Sequence, residues 1–382
     1  MIYLDANATT PLLPEVLEAM LPWLREGFAN PSGSYAGAKL ARKAIDHARG
    51  QVAELIGADA GEIIFTGGGT ESVNTALHSL DRLAGQGTAL VSAIEHSAVL
   101  RCAENLTREV ARVPVTTGGR LDLDAFADSM DKAAYVSLMA ANNETGVIQP
   151  LPEVAASARE RGLPVHSDAI QAVGKIPLDV GDLGVDLLSI SAHKFHGPKG
   201  VGALFVREGL RFKPLLEGGG QEAGRRSGTE NTAGIVGMGA AASALLRMSK
   251  ESVAPMRDAF EAAVLAGVSG VTVNGDSAHR LPNTSHLSFD QCDAAGLLIL
   301  LDEAGVACSA GSACMTGKKR PSHVQLAMGI PEARAKSSLR FSFSRLNTMD
   351  EALLAAGILK KAVEKLRRVQ GAGLGPVVVY SP

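Results

Sequence analysis

Nowhere in the 382 residues is there an apolar run long enough to span a bilayer. A membrane protein is not expected. Nor is there an excess of one charge: 37 Lys+Arg face 40 Asp+Glu, a formal net charge of −3. That balance offers nucleic acid no basic footprint and forms no solvated tail. Cysteine is scarce, at positions 102, 292, 308 and 314. Four cysteines at these spacings make no disulfide framework, and none has the C-x-x-C spacing of a zinc knuckle, so no metal site is expected. The opening MIYLDANATT lacks a basic stretch followed by an apolar core, which argues against a signal peptide. A cytoplasmic protein with reduced thiols is expected. Aromatics are only 4% of the chain, whereas glycines number 42 without low-complexity repeats. Many tight turns between short elements would produce that texture. A hydrophobic fraction of 46% in a chain of this length buries a full core and excludes disorder as the main state.

Short apolar runs alternate with helical ones. Residues 38–56 place Leu40, Ala44, Ala48, Val52 and Leu55 on one helical face, and Gly57 ends that helix. EIIFT (62–66), TALVSAIE (88–95), VARVPV (110–115), AAYVSLMA (133–140), LPVHSD (163–168), DLLSIS (186–191) and VGALFV (201–206) read as strands. Helical stretches at 71–84 and 151–162 lie between them. This alternation predicts an α/β fold, a mostly parallel sheet with helices on both faces. Beyond about residue 250 the texture changes to a helix (251–266), VTVNG, NTSHLSF, a helix at 293–304 and SLRFSFS (338–344), a smaller α+β unit. Two domains are expected: 15–250 as the larger, and 1–14 with 251–382 as the smaller.

Ligands of open α/β sheets sit beyond the carboxyl ends of the strands. Five successive strands here end in polar groups: Gly67–Glu71, His96, Asn142–Gly146, Asp168 with Gln171, and Ser191 with His193 and Lys194. Each has a bland alternative. Gly67–Thr70 is a glycine turn with a capping Thr, or an anion cradle at a helix start. His96 caps a helix, or meets a ligand and moves protons. Asp168 caps a helix over AIQAVG, or pairs with a protonated heterocyclic nitrogen as a buried carboxylate. Lys194 is a surface lysine, or a partly desolvated amine able to form a Schiff base. Five such groups on one rim are hard to explain as turns.

The chain resembles the fold-type I pyridoxal-phosphate enzymes, and more narrowly the cysteine desulfurases of the NifS/IscS group. The resemblance is carried by YLDANATT (3–10), NPSGSYAGA (30–38), FTGGGTESVN (65–74), EHSAVL (95–100), NNETGVIQP (142–150), HSDAIQAVGK (166–175), SISAHKFHGPKGVGAL (189–204), GGGQEAGRRSGTENT (218–232) and SAGSACMTG (309–317). It implies that Lys194 carries the cofactor, Asp168 pairs with its ring nitrogen and Gln171 meets its phenolate oxygen. Gly69, Thr70, Ser191 and His193 would bind the phosphate, His96 would stack on the ring, and Asn143 would contact ring or substrate. Arg340 would clamp the carboxylate of L-cysteine, and Thr229 would reach the phosphate in the other subunit of a homodimer. Cys314 would be the persulfide-forming nucleophile, in a Gly/Ser-rich setting that suits an outward-reaching thiolate. A sulfur-acceptor protein, in iron–sulfur assembly or tRNA thiolation, is implied.

There are departures from the family pattern. Cys308 stands where small residues are commoner, as a filled core position or a resolving thiol. Met315 and Lys318-Lys319-Arg320 follow Cys314. A selenocysteine lyase or cysteine sulfinate desulfinase on the same fold is the nearest alternative. A sulfur carrier or metal module using Cys292, Cys308 and Cys314 is the alternative of another class.

Overall fold

The computed structural model describes residues 1–248, 252–310 and 321–371. The expected boundary at 250, the segment with Cys314 and Lys318-Lys319-Arg320, and the tail after 371 lie outside them. The strands are β1 (Ile2–Tyr3), β2 (Ile63–Thr66), β3 (Thr88–Ser92), β4 (Val110–Val113), β5 (Ala133–Ser137), β6 (Val165–Asp168), β7 (Leu187–Ser191), β8 (Gly202–Val206), β9 (Val271–Val273), β10 (Thr284–Phe289), β11 (Val306–Ala307), β12 (Ser309–Ala310) and β13 (Ser338–Ser342).

Seven of these make one sheet in the order β2-β8-β7-β6-β5-β3-β4. Neighbours from β7 to β4 run parallel, while β8 is antiparallel to both β7 and β2. The two reversals cancel, so β2 points the same way as β7. All its strands but β8 therefore bring their carboxyl ends to one rim, as the α/β reading requires. β2, β3, β6, β7 and β8 are buried throughout, which requires helices on both faces.

Two local expectations are corrected. The helix Ala36–Ile56 buries Ala38, Ala41, Ile45, Ala48, Val52, Ala53 and Ile56, whereas Leu40 is exposed. Close packing decides the face. A Cβ on Gly239, in the helix Thr232–Arg247, would lie 2.6 Å from Ala48 Cα, so only small residues fit that crossing. AIQAVG forms turns rather than a helix, ending at Gly174 with φ 75°. Gly57 closes its helix as expected, in the left-handed conformation at φ 67°.

A second core gathers Ile2 and Leu4 from the amino end with Phe260, Leu287, Phe289, Phe341 and Phe343. The Phe260 and Phe341 rings stand 4.8 Å apart between centroids. Its sheet has the order β12-β13-β10-β9, and β1 pairs with β11. Along β13, Leu339 and Phe341 join this core, while Ser338, Arg340 and Ser342 alternate with them on the opposite face. No helix among the described residues is long and apolar enough to cross a membrane.

Candidate active site

The amino-terminal segment after β1 crosses the rim and supplies its first acceptors. Lys194 lies in a single turn after β7, and its Nζ donates to Asn7 O at 2.7 Å and Ala8 O at 2.8 Å. Gln171 Nε2 donates to the same Asn7 carbonyl at 2.9 Å. Its Oε1 accepts from Lys175 Nζ at 2.5 Å. Asp168 ends β6 at 5% exposure. Burial raises its carboxyl above the ordinary range, opposed by His96, the Ile170 N–H and Lys194. Its Oδ1 accepts from Ile170 N at 3.0 Å, and it forms no salt bridge among the described residues.

His96 caps the helix Ser97–Glu104, its Nδ1 accepting from Ala98 N at 3.1 Å. The capping role and a role at the rim are therefore compatible. The cap takes Nδ1 as acceptor and leaves the proton of the neutral ring on Nε2. Burial lowers its pKa, Asp168 acts in the opposite sense, and Lys194 adds to the lowering. Neighbouring Glu95 is fully buried and held well above the usual carboxyl range by burial and then by Asp168. Its Oε1 accepts from Met139 N at 2.7 Å and its Oε2 has no partner among the described residues.

A cavity of about 390 Å³ opens at the carboxyl end of β7, lined by Gly68, Gly69, Thr70, Ser191 and His193 among others. The helix Gly69–Leu83 begins there, and the first N–H groups of a helix have no partners within it. A Cβ on Gly69 would stand 2.3 Å from Ile170 Cδ1, so the helix start packs closely on the turn after β6 and a larger residue there would displace the Ile170 side chain. His193 is pushed down to about 4 by burial and by Lys194, Lys199 and Lys175, and is therefore neutral.

Arg340, 2% exposed in the middle of β13, reaches across from the second sheet. Its guanidinium donates to Asn143 O at 2.8 Å and to Asp5 Oδ1 at 2.7 Å, and its Nε has no partner among the described residues. The Asn143 carbonyl also accepts from Asn7 Nδ2 at 3.2 Å. Thr229 is exposed and is not among the residues lining the cavity beside Gly69. Cys314 lies outside the described residues. Cys308 packs against the second core, and burial pushes its thiol up to about 12, far from thiolate character.

Sequence reasoning missed several rim residues: Asp5, Asn7, Glu95, Lys175 and His323. Buried Glu144 accepts from Ser322 Oγ at 2.5 Å, and His323 Nε2 meets Glu95 O at 2.9 Å. Asp5, Asn7, Glu95 and Lys175 all stand inside the stretches that carry the family resemblance. None follows its strand closely enough in an unusual residue type to draw notice alone.

The family model for class-V aminotransferases matches residues 2–353. The chain belongs to that family. Among its relatives, a cysteine desulfurase of Cereibacter sphaeroides is 45% identical over 97% of this chain and 98% of its own length. Cysteine desulfurase NifS of Azotobacter vinelandii is 43% identical over 98% and 96%. Among solved structures, a NifS-like protein superposes with a TM-score of 0.89 at 34% identity, covering 96% of this chain and all of its own. A protein titled SspA in complex with cysteine gives a TM-score of 0.80 at 33% identity, covering 90% and 99%. This class-V family member is thus an enzyme of the NifS/IscS cysteine desulfurase group, with the fold-type I architecture.

Proposed function

We propose that the protein converts L-cysteine to L-alanine with pyridoxal phosphate bound at the rim, holding the sulfur as a persulfide on Cys314 for a protein acceptor. The carrying observation is that Lys194 and Gln171 share the Asn7 carbonyl, with Asp168 in electrostatic reach of Lys194, at the strand end where Ser191 and His193 line the cavity at Gly69. The residues present fit the cofactor. The helix start and Ser191 suit a phosphate, and buried Asp168, which has no salt bridge among the described residues, suits a protonated ring nitrogen. When bound, the cofactor supplies an electron sink for the charge left at the substrate α-carbon.

The chain's own residues divide the remaining work. Asp168 would keep the ring nitrogen protonated, and Gln171 would donate to the phenolate oxygen. Gly69, Thr70, Ser191 and neutral His193 would hold the phosphate. Lys194 Nζ would take the α proton. His96, whose Nδ1 is taken by its cap, would hold the ring and relay protons. Arg340 and Asn143 orient the substrate carboxylate. Cys314, as thiolate, would attack the substrate sulfur, forming the S–S bond of the persulfide as the substrate's Cβ–S bond breaks, its electron pair passing to the carbon that becomes the methyl group of alanine.

A homodimer accounts for Thr229, which stands exposed and would serve the partner's phosphate site. The chain divides into two domains on this reading, 15–250 and 1–14 with 251–382, and the packing of Ile2 and Leu4 with Phe260, Phe289 and Phe341 supports joining the amino end to the smaller one. The sulfur acceptor serves iron–sulfur assembly or tRNA thiolation in the cytoplasm. The test is incubation of the cofactor-loaded enzyme with L-cysteine, measuring alanine and protein-bound persulfide together. Absence of both refutes the proposal.

A further inference from the structure

Lys175 has no part in the reading above, yet it sits at one end of a chain of contacts that finishes on Lys194. Its Nζ donates to Gln171 Oε1 at 2.5 Å. Gln171 Nε2 donates to Asn7 O at 2.9 Å, and that carbonyl also accepts from Lys194 Nζ at 2.7 Å. Lys175 is only partly exposed, along a cavity of about 660 Å³ that Lys194 also lines. It forms no ion pair among the described residues. Burial, then Lys194 and Arg340, hold its ammonium well below the ordinary lysine range of 10.5. A lysine that only filled space would turn its nitrogen to water, because an unpaired ammonium is costly to desolvate. Here the nitrogen is spent on one amide oxygen.

That contact has a directional consequence. A side-chain amide has an oxygen that accepts and a nitrogen that donates twice. With Oε1 on Lys175 and one Nε2 proton on Asn7 O, the second Nε2 proton remains for the site. Flipping the amide would set oxygen against the Asn7 carbonyl and nitrogen against the lysine nitrogen, so both flanks disfavour it. We propose that Lys175 is a positioning residue that locks the Gln171 amide as a pure donor toward the cofactor's phenolate oxygen. This rests on the pyridoxal phosphate reading of the site. It assigns the HSDAIQAVGK stretch a second working residue beyond Asp168 and Gln171.

The test is a pH titration of the visible absorbance of the lysine-linked cofactor in the purified holoenzyme. Four proteins are compared: wild type, Lys175→Met, Gln171→Ala and the double variant. Losing a donor to the phenolate makes that oxygen more basic, so Lys175→Met is expected to move the midpoint upward by about one pH unit. Gln171→Ala should move it the same way. The double variant should move no further than Gln171→Ala alone, since Lys175 acts only through that amide. Lys175→Arg keeps a donor, has the cavity to accommodate it, and should return the midpoint close to the wild-type value. An unmoved midpoint in Lys175→Met, or a double variant whose shift is the sum of the two, overturns the proposal. If Lys175→Met does not fold, Lys175→Arg decides: a midpoint shifted like that of Gln171→Ala overturns it. A wild type that takes up no cofactor and shows no such absorbance would instead remove the cofactor reading itself.

Discussion

Two polar surfaces meet in this molecule, the carboxyl rim of the seven-stranded sheet and one face of the four-stranded sheet, and they were assembled on different principles. Each buries a neutral histidine. His166 lies between Ser137 Oγ and Ser189 Oγ, 2.9 Å from each. His286 meets Asn274 Nδ2 at 3.0 Å. Burial pushes both down to about 3. The rim residues sit just beyond strand ends, so parallel topology alone collects them. Arg340 sits mid-strand, opposite His286 in the β10–β13 register. It reaches the rim only because alternation turns it away from Phe341 and the packing of two cores brings that face across. The rim depends on connectivity; the second sheet depends on register and docking. A residue of the first kind should fail by losing chemistry, and one of the second kind by losing substrate geometry.

The largest expected effect tests the rim. Lys194→Ala should abolish alanine formation and the visible absorbance of the lysine-linked cofactor, because it removes the amine that links the cofactor, and Lys175, at the other end of the same chain of contacts, is committed to Gln171. Normal turnover by this variant would dissolve the distinction at its strongest point.

Next comes the thiol. Cys314→Ala should keep the cofactor but form almost no persulfide, and alanine output should fall by on the order of a hundredfold or more. Cys308→Ala should retain most activity, since burial holds its thiol near 12. Alanine assay with mass spectrometry of the persulfide distinguishes them, and the reverse pattern would place the nucleophile on Cys308.

Arg340→Gln sharpens the comparison from the second sheet. It should raise KM for cysteine by about tenfold to a hundredfold while kcat changes less, the signature of lost ground-state binding. Steady-state kinetics showing an unchanged KM would make Arg340 only a partner of Asp5 and Asn143.

The smallest effect is on stability. Burial pushes Glu144 up to about 7, against its hydrogen bond from Ser322 and the charge of Arg340. A carboxyl with a raised folded-state pKa supports stability that is full below its ordinary value of 4.5 and is lost as pH rises through 7. Glu144→Gln should therefore flatten the fall in melting temperature across that window. The difference is worth about 1–3 kcal/mol. Thermal melts of both proteins at its two ends check it, and parallel curves would remove Glu144 as the source.

By itself the sequence determined the alternation of strands and helices, the helix stop at Gly57, and the rim residues that follow strands directly: Gly69, Thr70, His96, Asp168, Gln171, Ser191, His193 and Lys194. Those features are local, set by periodicity and by what stands at the end of each apolar run. The buried face of Ala36–Ile56 was not legible, because small residues were selected by a distant helix, Thr232–Arg247. The same holds for Asn7 beneath Lys194, Asp5 beside Arg340, and Lys175 behind Gln171. Each is an ordinary residue type in its own segment, and only tertiary structure decided its role. A hydrogen bond is made by atoms a few ångströms apart, whatever their separation along the chain, and here folding alone brings the amino terminus over the rim.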